Sequence, residues 1–138
     1  MDKIRPNALV IVQKNDYLLV EKGEDEVTCQ IFYRLLGGGI EFGELSNETI
    51  KRELKEELNA EIINEKFLCS IENRFELNSR KYHEITFLYS GDFKKESLYN
   101  EKFIKILDKE DKNAEWVSIT EVKNGNIILY PRDAVVYL

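Results

Sequence analysis

The chain has 138 residues, 43% apolar and 33% charged, with a formal net charge of −6. That length suits one domain with its own core, read as residues 1–138, and that composition excludes a disordered or low-complexity chain. The acidic balance excludes broad nucleic-acid binding, which needs basic surface to neutralise phosphates.

Residues 7–14 contain the run ALVIV, which is short, continuous and β-branched, as expected of a strand buried on both faces. Asn15 and Asp16 supply a turn, and residues 17–22 (YLLVEK) read as the hairpin partner. Residues 23–30 are charged and predict an exposed loop; residues 31–36 (IFYRLL) return as a strand leading into Gly37, Gly38 and Gly39. No Lys-Ser/Thr pair follows these glycines, so they do not form a P-loop, and a dinucleotide fingerprint fails at Phe42. They are expected to let the backbone turn tightly and approach a phosphate or metal closely.

The next stretch predicts a helix from Ser46, a candidate N-cap, to Asn59, which tolerates the left-handed conformation that ends helices. Ile50, Leu54 and Leu58 recur every four residues and form the stripe that would seat it on a core. At about 100° per residue, Glu53, Glu56 and Glu57 fall beside that stripe on one arc. Carboxylates so crowded repel unless something positive sits among them. A hard divalent cation answers this, because magnesium takes oxygen ligands from one or two carboxylates, from water and from a bound phosphate. The alternative is a solvated helix whose Lys51 and Lys55 pair with the glutamates.

Residues 61–72 and 82–93 predict two long strands in an antiparallel pair, with the bend near Asn78 and Ser79. Residues 97–113 fit no single period and read as a variable loop. Residues 115–119 predict a short strand, Thr120 caps a brief helix ending by Gly125, and Pro131 opens a last helix. Strands on either side of one central helix, with a second helix late in the chain, predict an α/β fold with a mixed sheet covered on both faces. No segment approaches the roughly 18 apolar residues of a membrane span. The amino terminus lacks a signal core, so the expected location is the cytoplasm. Cys29 and Cys69 have no metal or redox spacing and are expected to be reduced thiols.

Gly38, Glu44, Arg52, Glu53, Leu54, Glu56, Glu57 and Ala60 stand at the offsets G-x5-E-x7-R-E-U-x-E-E-x-G-U, where U is aliphatic; Asn59 replaces the last glycine. The pattern resembles the signature of the Nudix hydrolases. The resemblance implies an α/β/α sandwich with a mixed β-sheet between helices. It also implies metal-dependent hydrolysis of a pyrophosphate bond in a nucleoside diphosphate linked to another moiety, with Mg2+ as cofactor and Mn2+ as its substitute. Carried over by position, Glu53 and Glu57 are metal ligands, Gly38 offers a carbonyl, and Glu56 shares the coordination or accepts a proton from water. Arg52 orients the glutamates, and Glu44 has a partly structural role near substrate. The family's general base varies in place; outside the helix the candidates are Glu84, Glu101, Glu110 and Asp111.

Arg5, Arg34, Arg74 and Arg80 are candidate phosphate contacts, though surface arginines are common, and Arg34 is the best placed because its strand leads into the glycines. Phe32, Tyr33, Phe75 and Tyr82 could stack a base, although strand aromatics usually pack. Trp116 is read as core, and His83, the only histidine, as a strand residue. The short chain resembles the mutator-type enzymes, so the expected substrate is a nucleoside triphosphate or a related small-molecule nucleotide. Hydrolysis of ADP-ribose or nucleotide sugars, a nucleotide-binding sensor without catalysis, and a protein interaction module are the alternatives. A homodimer is common in the family, while no nucleic-acid or membrane partner is expected.

Overall fold

The computed structural model describes residues 2–138. β1 (Ile4–Ile11) carries the apolar run and lies inside a four-stranded sheet of order β5-β1-β7-β6, formed with β5 (Leu36–Gly39), β6 (Ile62–Leu77) and β7 (Arg80–Phe93). It pairs parallel with β7 and antiparallel with β5, not with the following strand as expected. The predicted hairpin is only the short β2 (Gln13–Lys14) against the start of β3 (Tyr17–Glu24), turning at Asn15, whose φ is 51°.

β3 is central to a second sheet with β2, β4 (Ile31–Arg34), β8 (Phe103–Lys105), β9 (Asn113–Ser118) and β10 (Leu129–Tyr130). The expected mixed sheet between helices is therefore divided over two sheets, and the chain passes from one to the other at Leu35. Alternation along β1 explains how both faces are covered. Ala8 and Val10 pack with Ile50, Leu54 and Leu58 of α1 (Ser46–Leu58), while Ile11 packs with Ile119 and Val122 of α2 (Ile119–Lys123) and with Ala134.

Several local expectations change. The glycines extend a strand: Gly37, Gly38 and Gly39 pair with Leu9, Ala8 and Asn7 of β1 instead of turning. Residues 23–30 are not wholly exposed, because Gly23 and Glu24 complete β3 and the Asp25 carboxylate accepts the N–H groups of Val27, Thr28 and Asn78. β6 and β7 run on to a two-residue turn in which Asn78 and Ser79 both have positive φ, the pattern that matches strand twist.

The supposed loop of residues 97–113 contains a 3-10 turn, Glu96–Asn100, and β8. Ile104 and Ile106 point into the core while Phe103 and Leu107 face solvent, so a short period of two underlies the stretch. Leu45, not Ser46, occupies the N-cap of α1, and Glu48 accepts its backbone N–H. Ser46 instead shares a 2.6 Å hydrogen bond with Tyr89. Ser118, not Thr120, caps α2, and the last helix is a 3-10 segment, Arg132–Tyr137, preceded by Pro131. Among the described residues no helix is long and apolar enough to cross a membrane.

Candidate active site

Ile50 and Leu54 are fully buried, and this fixes the rotation of α1 so that its carboxylates emerge beside β5. Asn59, with φ 53°, ends the helix as expected, and its N–H bonds the Lys55 carbonyl. The glycine strand passes close under the helix. A Cβ on Gly38 would stand 2.6 Å from Glu53 Oε1, and one on Gly37 would stand 2.8 Å from the Leu9 Cα. Gly37 also has φ 144°, which side chains rarely adopt. Glycine is thus required by close approach, not by a turn.

Arg52 ties the acids together. Its Nε and Nη2 donate to the two oxygens of Glu44 at 2.7 and 3.1 Å, Nη1 donates to Glu53 at 2.9 Å and to Glu56 at 3.2 Å, and Nη2 also donates to the Gly39 carbonyl at 3.0 Å. One planar guanidinium therefore positions the helix against the glycine strand, which a lysine's point charge would not do. The Arg52 hydrogen bond, with a second from Thr49, holds the Glu44 carboxyl down at about 2. The same bond to Glu44 raises Arg52 further above its ordinary value. Glu44 is thus occupied in the scaffold.

Glu57 is buried at 6% exposure. Burial, with a hydrogen bond and charge from Glu53, pushes its carboxyl up to about 8, while Lys109 pulls it back down. Glu21, buried on β3, accepts both 2.9 and 3.2 Å hydrogen bonds from Lys109 Nζ. Glu56 is more exposed and leans on Arg52. Among the described residues no three His, Cys, Asp or Glu side chains form a ready-made metal cage. The carboxylates are instead held by Arg52, by Lys109 and by each other. The donor set, two neighbouring glutamates facing a stripped glycine backbone, is all oxygen and fits a hard divalent cation.

A cleft of about 380 Å³ joins these groups to a second wall. Gly37, Gly38, Gly39, Glu57, Glu21 and Lys109 line it together with Arg5, Arg34, Asn7 and Glu84. Four rings complete it: Phe75 stacks on Tyr82 at 5.2 Å and on Tyr130 at 6.0 Å, and Phe32 meets Tyr130 edge-on at 5.4 Å. Arg5 lies over Tyr82 and pairs with Glu84 at 3.0 Å. A planar aromatic group and an anionic chain can both be accommodated here.

Of the residues singled out from sequence, Gly38, Glu57, Arg34 and Glu84 line this cleft, and Glu53 abuts Gly38. Glu44, Arg52 and Glu56 lie behind or beside it. Glu101 lies outside, its backbone carbonyl accepting the Trp116 Nε1–H, and Glu110 and Asp111 are exposed on the loop before β9. Tyr33 packs against the core around Ile11, Ile119 and Val122, Trp116 packs against Phe93 and Tyr99, and His83 sits opposite Arg74 away from the cleft. Of the four arginines considered for phosphate, Arg5 and Arg34 line the cleft and Arg74 and Arg80 do not; sequence reasoning missed Glu21, Lys109 and Tyr130. A signal existed for Glu21, a carboxylate directly following the apolar run LLV on its strand.

The family model described as the NUDIX domain matches residues 3–136. Among solved structures, the MutT NUDIX hydrolase from Burkholderia pseudomallei is similar with a TM-score of 0.63 at 15% identity, covering 86% of each chain. A NUDIX hydrolase from Nitrosomonas europaea gives a TM-score of 0.64 at 19% identity, covering 94% of this chain and 82% of its own. The E. coli ORF135 protein gives 0.57 at 21% identity over 96% of this chain and 84% of its own. At these identities the likeness is one of fold. A search among curated proteins finds no match.

Proposed function

The chain belongs to the Nudix hydrolase family, and on that premise we propose that residues 1–138 act as one domain that hydrolyses a pyrophosphate bond in a nucleoside triphosphate or a related nucleotide. The family uses divalent cations and acts on small-molecule nucleotides, and Mg2+ is the ion proposed here, with Mn2+ as its substitute. The observation that carries this reading is the meeting, in one cleft, of buried Glu57 and the glycine strand with Arg34 and a stacked aromatic wall.

Glu53 and Glu57, with the Gly38 carbonyl, would hold the ion. When bound there it neutralises phosphate charge and lowers the pKa of water. The chain's own residues do the rest. Arg52 keeps Glu53 and Glu56 in place and anchors Gly39, so the carboxylates need not reorganise during reaction. Arg34 and Arg5 bind the phosphate chain, and the aromatic wall of Phe32, Phe75, Tyr82 and Tyr130 offers the base its apolar surface. Glu56, the less buried of the helix carboxylates, takes up the proton released by the attacking water. Glu84, the candidate outside the helix that lines the cleft, keeps Arg5 oriented toward substrate.

The test is release of phosphate or pyrophosphate from nucleoside triphosphates, nucleotide sugars, ADP-ribose and dinucleoside polyphosphates, with magnesium and with chelator. Magnesium-dependent release from triphosphates is expected. Release from none of the panel, with the protein folded and melting higher in the presence of nucleotide, would replace the hydrolase with a binding domain.

A further inference from the structure

The loop between β8 and β9 is fastened to the cleft at two points. The Leu107 N–H donates to the Glu57 carbonyl at 2.7 Å, and Lys109 Nζ donates to both carboxylate oxygens of Glu21. Glu21 is 5% exposed and lines the same cleft as Glu57 and the glycine strand. An ammonium clamped on a buried carboxylate already supplies the positive charge that this acidic pocket needs. A divalent ion entering beside Glu57 meets that ammonium across the same cleft, close enough to Glu57 to act on its charge, and like charges there repel. The loop's remaining tie to the helix is a backbone bond next to the same carboxyl.

Resting on the ion site proposed above, we infer that Lys109 is a built-in counter-cation that competes with the divalent ion for this pocket. Ion uptake moves Lys109 off Glu21 and releases residues 107–112, beyond the buried anchor Ile106. Glu21 then becomes a further carboxylate facing the ion, and ion occupancy is read out in the mobility of a segment beside the substrate cleft. Lys109 acts through Glu21 and is a positioning residue.

The experiment pairs calorimetric Mg2+ titration with hydrogen exchange of the residue 107–112 amides, on the wild type, Lys109→Met, Lys109→Gln and Glu21→Gln, each checked for native circular dichroism. In the wild type, Mg2+ is expected to speed exchange in this loop. Lys109→Met and Lys109→Gln should bind Mg2+ roughly tenfold tighter, with loop exchange already fast and unchanged by the ion. Glu21→Gln should free the loop equally without tightening the ion. Wild-type Mg2+ binding with both Lys109 variants unchanged or weaker would overturn this inference alone. An absence of Mg2+ binding in the wild type would overturn the ion site itself, and this inference with it.

Discussion

The Glu53 carboxylate lies directly over the Gly38 backbone, in the space a side chain at residue 38 would fill. Position 38 is therefore restricted by a carboxylate on the next element, α1, and not by its own turn. Gly38→Ala should push Glu53 out of place while β5 still pairs with β1. The expected loss in kcat is about a hundredfold, as for a small misplacement of a catalytic group, with a modest fall in melting temperature. Wild-type turnover in Gly38→Ala would show that Glu53 is not held where the reaction needs it.

Glu57 gives a pH signature in the ion-free protein. Its carboxyl is raised from 4.5 to about 8, so between those values the folded chain keeps a proton that the unfolded chain has lost. Stability in chelator is thus expected to fall as pH rises from 5 to 8. Glu57→Gln should flatten that slope and melt higher than wild type at pH 8, while abolishing magnesium-dependent turnover, as should Glu53→Gln. Parallel melting curves against pH for wild type and Glu57→Gln would contradict this.

Arg52 should tolerate no substitute. Arg52→Lys keeps the charge but cannot span Glu44, Glu53, Glu56 and Gly39 at once, and a drop in kcat of at least about tenfold is expected with little change in KM. The variant should also lose acid tolerance. With its folded value held at about 2, Glu44 contributes stability that is full above its ordinary 4.5 and is lost as pH falls toward 2. Melting below pH 4 compares the two.

Phe75 stacks between Tyr82 and Tyr130, and its removal opens the aromatic wall. Phe75→Ala should disorder the wall that receives the base and raise KM for a nucleotide about tenfold, the scale of one lost aromatic contact, with kcat nearly unchanged. An equal loss in kcat would mean that the ring supports the fold of the β6–β7 hairpin instead.

Glu56 and Glu84 separate proton transfer from substrate orientation. Glu56→Gln is expected to lower kcat by about a hundredfold with little change in KM. Glu84→Gln should act chiefly on KM through Arg5. The reverse pattern would move the base to Glu84.

The helix and its acids were legible in sequence because everything that defines them is local. Ile50, Leu54 and Leu58 set the buried face, Asn59 ends the helix, and the turn angle then places Glu53 and Glu57 together. The identity of β1 as a doubly buried strand was legible for the same reason. Its partners were not, since a run such as ALVIV carries no mark of whether β3, β5 or β7 will lie beside it. The 3-10 turn and β8 were hidden because three residues of alternation at Ile104 and Ile106 are too few to stand out.

Sequence by itself determined the family, the fold class and the acidic helix, because a fixed spacing along one helix becomes a fixed geometry. Only the tertiary structure decided that the glycines form a strand under Glu53 and that Arg52 closes on Gly39. It alone brought Glu21 and Lys109, which are 88 residues apart, into the same pocket as Glu57. Such meetings depend on strand order and loop docking, which are settled by the packing of the whole core and leave no periodic trace in the residues that meet.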